Sequence, residues 1–299
     1  MLNLILPVTL SPSSGGASTI ANIGSLTNKG IELKVSASPI NSTDFSWNTS
    51  ALFSTFDNRL GGIGNGRSGI LLRGGGGVQS AIDGRSLGTF FGTFFARNDD
   101  GSLLLSPLGL PQVERGNDVT GEAQRDGAGQ PIGTPLRKAL GDPNADYTLT
   151  WVNEIRYKKL SLRMQFDASQ GQEVYNWNSI TSNNVGNGKL AERELKGEVP
   201  RGWVAAIGGF IGPRIQEFHV EDGSYIKLRE LSLNYDFGKW MYFENFNASL
   251  IGRNIFSLDN YTGFDPETNS AGQSSTVRGD DFGNVPIPTT IQVKFTFSL

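Results

Sequence analysis

In the last nine residues, Ile291-Gln-Val-Lys-Phe-Thr-Phe-Ser-Leu299, apolar side chains hold the odd positions and polar ones the even positions. A period of two belongs to a β-strand with one apolar and one polar face. The pattern recurs at 31–37 and at 45–55, where Phe45, Trp47, Ala51 and Phe53 share a face. At 147–157, Tyr147, Leu149, Trp151, Ile155 and Tyr157 do so. Residues 160–168 repeat it on even numbers, and 246–250 form a shorter instance. At 225–235 the phase slips: Ile226 and Leu228 are even, whereas Leu231, Leu233 and Tyr235 are odd. One extra residue, a β-bulge near Arg229-Glu230, would return all of them to one face. Residues 87–105 fit neither period, because Phe90-Phe91 and Phe94-Phe95 come in adjacent pairs.

The connections alternate in length. Short ones follow Ala37, Tyr157 and Tyr235; long ones follow Thr55, Ala168 and Ile255. Short turns at one end and long loops at the other define an antiparallel transmembrane β-barrel rather than a soluble sandwich. Aromatic residues near strand ends, among them Phe45, Trp47, Tyr147, Trp151, Tyr157, Tyr225 and Tyr235, suit interfacial girdles. The expected fold is all-β, with about eight strands, or ten if 87–105 supplies a pair. Loops at 58–85, 109–146, 171–223 and 256–288 are expected as long structureless segments on the extracellular side. Asn65, Asn187 and Ser270 would be exposed outside the cell, with Ser42 and Lys159 on periplasmic turns.

Composition narrows the partners. Net charge is -3 and cysteine is absent, so there is no basic footprint for nucleic acid and no thiolate metal site. The 39 glycines and 18 phenylalanines suit turns and half-buried strands. No apolar run approaches the roughly 18 residues of a membrane-spanning helix. Mean hydropathy of -0.26 is compatible with a barrel whose interior is polar. Residues 1–10 are apolar but lack a basic start, and Pro7 interrupts them, so they are expected to be an internal start or an edge rather than a signal peptide.

Candidate chemistry is sparse. The one histidine, His219, is expected to be an ordinary loop residue. Gly61-Gly-Ile-Gly-Asn-Gly66 and Gly74 to Gly77 lack the Gly-Lys-Ser/Thr ending of a phosphate loop. Asn98-Asp-Asp-Gly101 and Asp142-Pro-Asn-Ala-Asp146 lack EF-hand spacing. Arg278-Gly-Asp280 is a chance-level tripeptide, and Asp265-Pro-Glu267 reads as turn chemistry rather than paired catalytic carboxylates. No catalytic, cofactor-binding or metal-ligating residue is assigned, no cofactor is expected, and substrate-binding residues are unassigned. Trp177 and Trp203 are available on loops to stack on sugar rings.

Several ordered motifs resemble the C-terminal part of SusC/RagA-family TonB-linked outer-membrane receptors. They are Asn22-Ile-Gly24 followed by Asn28-Lys-Gly-Ile-Glu32, the Phe45-Ser-Trp47 strand, Glu221-Asp-Gly-Ser-Tyr225 running to Tyr235, Gly252-Arg-Asn-Ile255, Tyr261-Thr-Gly-Phe-Asp-Pro-Glu267, and Pro286-Ile-Pro288. Leu299 stands where the family usually ends in Phe. The resemblance implies a bacterial outer-membrane receptor rather than an enzyme, importing glycans, peptides or other large nutrients with a SusD-like surface lipoprotein and the TonB complex. Such a receptor has roughly 22 strands around a plugged lumen. Residues 1–299 would be its C-terminal wall, in contact with outer-membrane lipid, with no counterpart of the plug domain or first strands. The alternatives are a small complete outer-membrane barrel and a soluble β-rich adhesin or lectin.

Overall fold

The computed structural model describes residues 2–9, 13, 15, 18–63, 69–72, 78–208, 215–274 and 276–298. Eight strands form one antiparallel sheet in sequence order: β1 (Leu2–Thr9), β2 (Ser18–Asn41), β3 (Phe45–Gly61), β4 (Tyr147–Tyr157), β5 (Leu160–Gln170), β6 (Tyr225–Trp240), β7 (Phe243–Asp259) and β8 (Thr290–Ser298). Each strand pairs with its sequence neighbour, and β1 and β8 are the two edges, so the barrel wall is not closed. Residues 1–10 were expected to be an internal start or an edge, with no strand assigned to them. Within that stretch, β1 pairs with the first half of β2. Pro7, which lacks an N–H, is tolerated there because β1 is an edge strand.

The turns are tight where expected. Tyr157 faces Leu160 across Lys158-Lys159, with Lys158 at φ 50°. Trp240 faces Phe243 across Met241-Tyr242, with Met241 at φ 55°. The bulge also stands as expected: Gln165 pairs with Glu230 and Phe166 with Leu228, leaving Arg229 as the extra residue. On the β7 side, Asn254 and Ile255 are skipped together, and Asn254 takes φ 50°.

The register aligns Phe295, Ala248, Tyr235 and Leu160 in one row and Val293, Leu250, Leu233 and Leu162 in the next. These rows make one apolar face, and Ile291, Val293 and Phe295 remain 76%, 64% and 61% exposed on it. Gln292, Lys294 and Thr296 occupy the opposite face, aligned with Ile251, Ser249 and Asn247. At the β6–β7 turn the apolar face carries packed rings: Tyr235 on Phe237, Trp240 on Phe246 and Phe243 on Phe297.

The long connections depart from expectation. They are folded rather than structureless, and they hold nearly all of the buried apolar residues. The β3–β4 connection builds a four-stranded sheet of Ile70–Leu71, Gln79–Ala81, Thr89–Thr93 and Arg137–Gly141. The β5–β6 connection contributes α1 (Trp177–Asn184), α2 (Lys189–Leu195) and α3 (Trp203–Gly208). Asn176 caps α1 by accepting the Ser179 N–H at 2.8 Å. One core joins Phe95 and Val113 to Leu190, Ile207 and Ile215; a second joins Val78 and Phe90 to Tyr175 and Ile180. Residues 87–105 therefore add no barrel pair. Phe90, Phe91 and Phe95 are buried in this loop body, and a strand covered on both faces has no reason to alternate.

Candidate functional site

The motif pieces at 221–235, 252–255, 261–267 and 286–288 meet at one place, the loop-side rim of β6 and β7. Gly252 has no Cβ, which leaves room for the Ile255 side chain beside it. Asn254 accepts from Arg229 Nη1 at 3.2 Å. Arg229 also donates to Asp167 (2.8 Å) and, through both terminal nitrogens, to Glu267 (3.0 Å each). Lys227, only 5% exposed, donates to Asp265 at 2.6 Å and to Glu267 at 3.0 Å. Asp265 Oδ2 in turn accepts the Ile287 N–H of the Pro286-Ile-Pro288 stretch at 3.2 Å. Glu221 receives the Thr262 N–H at 2.9 Å, and Tyr261 donates its hydroxyl to Asp281 at 2.7 Å.

This junction is a clamp rather than a reaction centre. Its carboxylates are consumed by internal partners, which is the turn chemistry expected of Asp265-Pro-Glu267. Burial pushes the Asp265 carboxyl up, but the Lys227 ammonium and two backbone N–H donors outweigh it, holding the group below its ordinary range. Burial raises the Tyr261 hydroxyl, and its bond to Asp281 raises it further.

Below the clamp, the polar face carries a ladder of alternating charge. Glu154 pairs with Arg163 at 3.3 Å, Arg163 with Glu230 at 2.7 Å, and Glu230 with Arg253 at 3.1 Å. Arg253 Nη1 then reaches Gln292 on β8 at 3.2 Å. Beside it, a concavity of 520 Å³ is lined by Ser46, Asn48, Arg156, Ser161, Ser232 and Asn234. Such a wall can solvate and guide a polar solute, and its fixed charges cancel along the row.

The remaining candidates settle into structural roles. His219 is buried in the loop core, its ring edge-on to Tyr175. Trp177 packs against Tyr175 and Phe282, and Trp203 against the core around Phe95, so neither stands free to stack on a sugar. Asp100 closes its own turn by accepting from Ser102, and Asp142 likewise accepts from Asn144. In Arg278-Gly-Asp280 the aspartate is buried and accepts the Ser270 hydroxyl. Gly61 and Gly62 sit at the end of β3; Gly64 to Gly66 and Gly74 to Gly77 lie outside the described residues. Among the described residues, no cluster of metal-ligating side chains occurs. The ladder and the clamp were missed from the sequence. The one available signal was the run of charged residues on the polar positions of β5 to β7.

No protein-family model matches the chain. It is 29% identical over 306 residues to TonB-dependent receptor P3 of Formosa agariphila, covering 95% of this chain and 30% of that one. TonB-dependent receptor P26 of the same organism is 28% identical over 97% of the chain. Among solved structures, the RagAB peptide importer in its open-open state superposes with a TM-score of 0.71 at 18% identity, over 99% of this chain and 31% of that one. The RagAB peptide transporter matches with a TM-score of 0.66. The sheet thus shares the fold of the RagA barrel wall, and in sequence the chain is similar to TonB-dependent receptors. It spans about a third of the length of those relatives.

Proposed function

We propose that the chain is the C-terminal wall of a TonB-dependent outer-membrane receptor for nutrient import. The carrying observation is the eight-stranded sheet with an exposed apolar face and a charged, concave opposite face. In this reading Ile291, Val293, Phe295 and Phe297 face lipid, while the ladder from Glu154 to Arg253 lines the lumen. The loop body lies on the extracellular side, where it meets a SusD-like lipoprotein and its cargo of glycan or peptide. A plug domain, the TonB contact and the remaining strands belong to the rest of a longer protein. This third of the receptor would not transport alone.

Two observations favour this over the alternatives. A soluble adhesin or lectin would leave the Ile291–Phe297 row in water, whereas lipid covers it without cost. A self-contained small barrel would pair β1 with β8, and both are sheet edges. The test is membrane fractionation with uptake. Tagged native protein should sediment with the outer membrane, co-purify with a surface lipoprotein, and support uptake that a protonophore abolishes. Recovery in the soluble fraction, or uptake insensitive to the protonophore, would overturn it.

A further inference from the structure

A cleft of 570 Å³ opens between the four-stranded loop sheet and the hairpin turn at 117–121. Its floor is apolar: Phe91 and Leu136 are buried there, and Phe94 lies alongside. Lys138 Nζ sits 4.4 Å above the Phe94 ring, but its charge is taken by Glu217 at 3.0 Å. Arg137, next along the rim, is exposed, and its guanidinium has no ion-pair or hydrogen-bond partner among the described residues. The opposite rim carries Asp118 and Thr120 on a turn held rigid by Asn117, whose side-chain oxygen accepts the N–H of Val119 at 2.9 Å and of Thr120 at 3.2 Å. A concave site with an aromatic floor, a polar rim and one uncommitted guanidinium is built for an amphipathic ligand. The planar guanidinium selects a carboxylate, which it can bind through two parallel hydrogen bonds.

We propose that this cleft binds a ligand carrying a carboxylate beside an apolar face, with Arg137 taking the carboxylate and Phe91 and Phe94 the apolar face. Asp118 and Thr120 offer acceptors and a hydroxyl to the ligand's remaining polar groups. An acidic sugar and the C-terminus of a short peptide share this chemistry. A role for the cleft in capturing cargo rests on the import reading; binding to it does not.

The test is calorimetric titration of the native protein in detergent with four probes: a tetragalacturonate, its methyl ester, a tripeptide ending in Phe, and its C-terminal amide. One free carboxylate should bind, with its blocked counterpart at least tenfold weaker. Arg137→Gln should weaken the free probe by the same factor, and Arg137→Lys should fall between. Phe94→Ala should weaken free and blocked probes alike, and Arg85→Gln, away from the cleft, should change nothing. Binding of the uronate alone identifies a sugar acid; binding of the peptide alone identifies a peptide terminus. Failure of both free probes to bind, or Arg137→Gln that melts and binds as the native protein does, overturns the proposal. Tight binding without protonophore-sensitive uptake would overturn the import reading and leave this one standing; uptake without binding would do the reverse.

Discussion

Lys227 carries the largest single-residue consequence. Its ammonium is nearly as buried as an interior aliphatic group and sits against Asp265 and Glu267. Removing it leaves a buried carboxylate without its countercharge, which costs about 3–5 kcal/mol, whereas an exposed pair such as Lys239–Glu244 is worth about 0–1 kcal/mol. Lys227→Met should therefore lower the melting temperature markedly and loosen the 260–289 loop, while Lys239→Met should leave both unchanged; comparative thermal melts check this. The same carboxylate sets an acid limit. Because the folded-state pKa of Asp265 is depressed, its contribution is present above the unfolded pKa and is lost as pH falls through the folded value. Stability should be flat near neutrality and fall below the ordinary Asp pKa of 3.8, with a shallower fall in Asp265→Asn. The alternation of Asp265 and Glu267 in sequence is visible to any reader. Their target is not, because Lys227 lies 38 residues away.

At the scale of elements, the bulge at Arg229 decides which way β6 faces. A one-residue slip moves every later side chain to the other face. Deleting Arg229 removes only the extra residue, so Ile226, Leu228, Leu231, Leu233 and Tyr235 should stay on one face and assembly should survive. Deleting Ser232, outside the bulge, should turn Leu233 and Tyr235 to the polar face and abolish assembly, seen as loss of the heat-modifiable gel band. The β8 strand offers a graded test. Arginine at Ile291, Val293, Phe295 or Phe297 in turn should cost about 2–4 kcal/mol at the position nearest the bilayer midplane and about 0–1 kcal/mol near an interface. Arginine at Gln292 or Thr296, on the polar face, should cost little. A flat profile across both sets, measured by folding into vesicles, would count against a lipid-facing row. Period two made these strands and the slip in β6 legible, because each strand has one wet face. It failed for residues 87–105, where Phe90 and Phe91 point into apolar surroundings on both sides.

At the scale of the whole molecule, the two ends of the sheet differ in accessibility. Single cysteines are simple to introduce because the chain has none. Asn187→Cys and Gln273→Cys, both exposed on long connections, should react with an impermeant thiol reagent on intact cells; Ser42→Cys and Lys159→Cys, on the short turns, should not. Ser270 is a poorer site than the sequence suggests, since its hydroxyl is bonded to buried Asp280, and Asn65 lies outside the described residues. Reversed labelling would invert the sidedness of the wall. Expressed alone, the chain should aggregate, because open edges in lipid leave backbone groups unsatisfied at several kcal/mol each; a protease-resistant, heat-modifiable species in detergent would contradict this.

The sequence by itself determined seven of the eight sheet strands, their faces, the bulge and the alternation of short and long connections. All of these follow from local periodicity, which a single strand displays without its neighbours. The tertiary structure alone decided that Leu2–Thr9 joins the sheet as an edge and that the long connections fold around shared cores. It alone brought Glu154, Arg163, Glu230 and Arg253 into one ladder across four strands. Those features depend on pairings between residues tens of positions apart, and no periodicity along the chain encodes which distant partner a loop or a charge will meet.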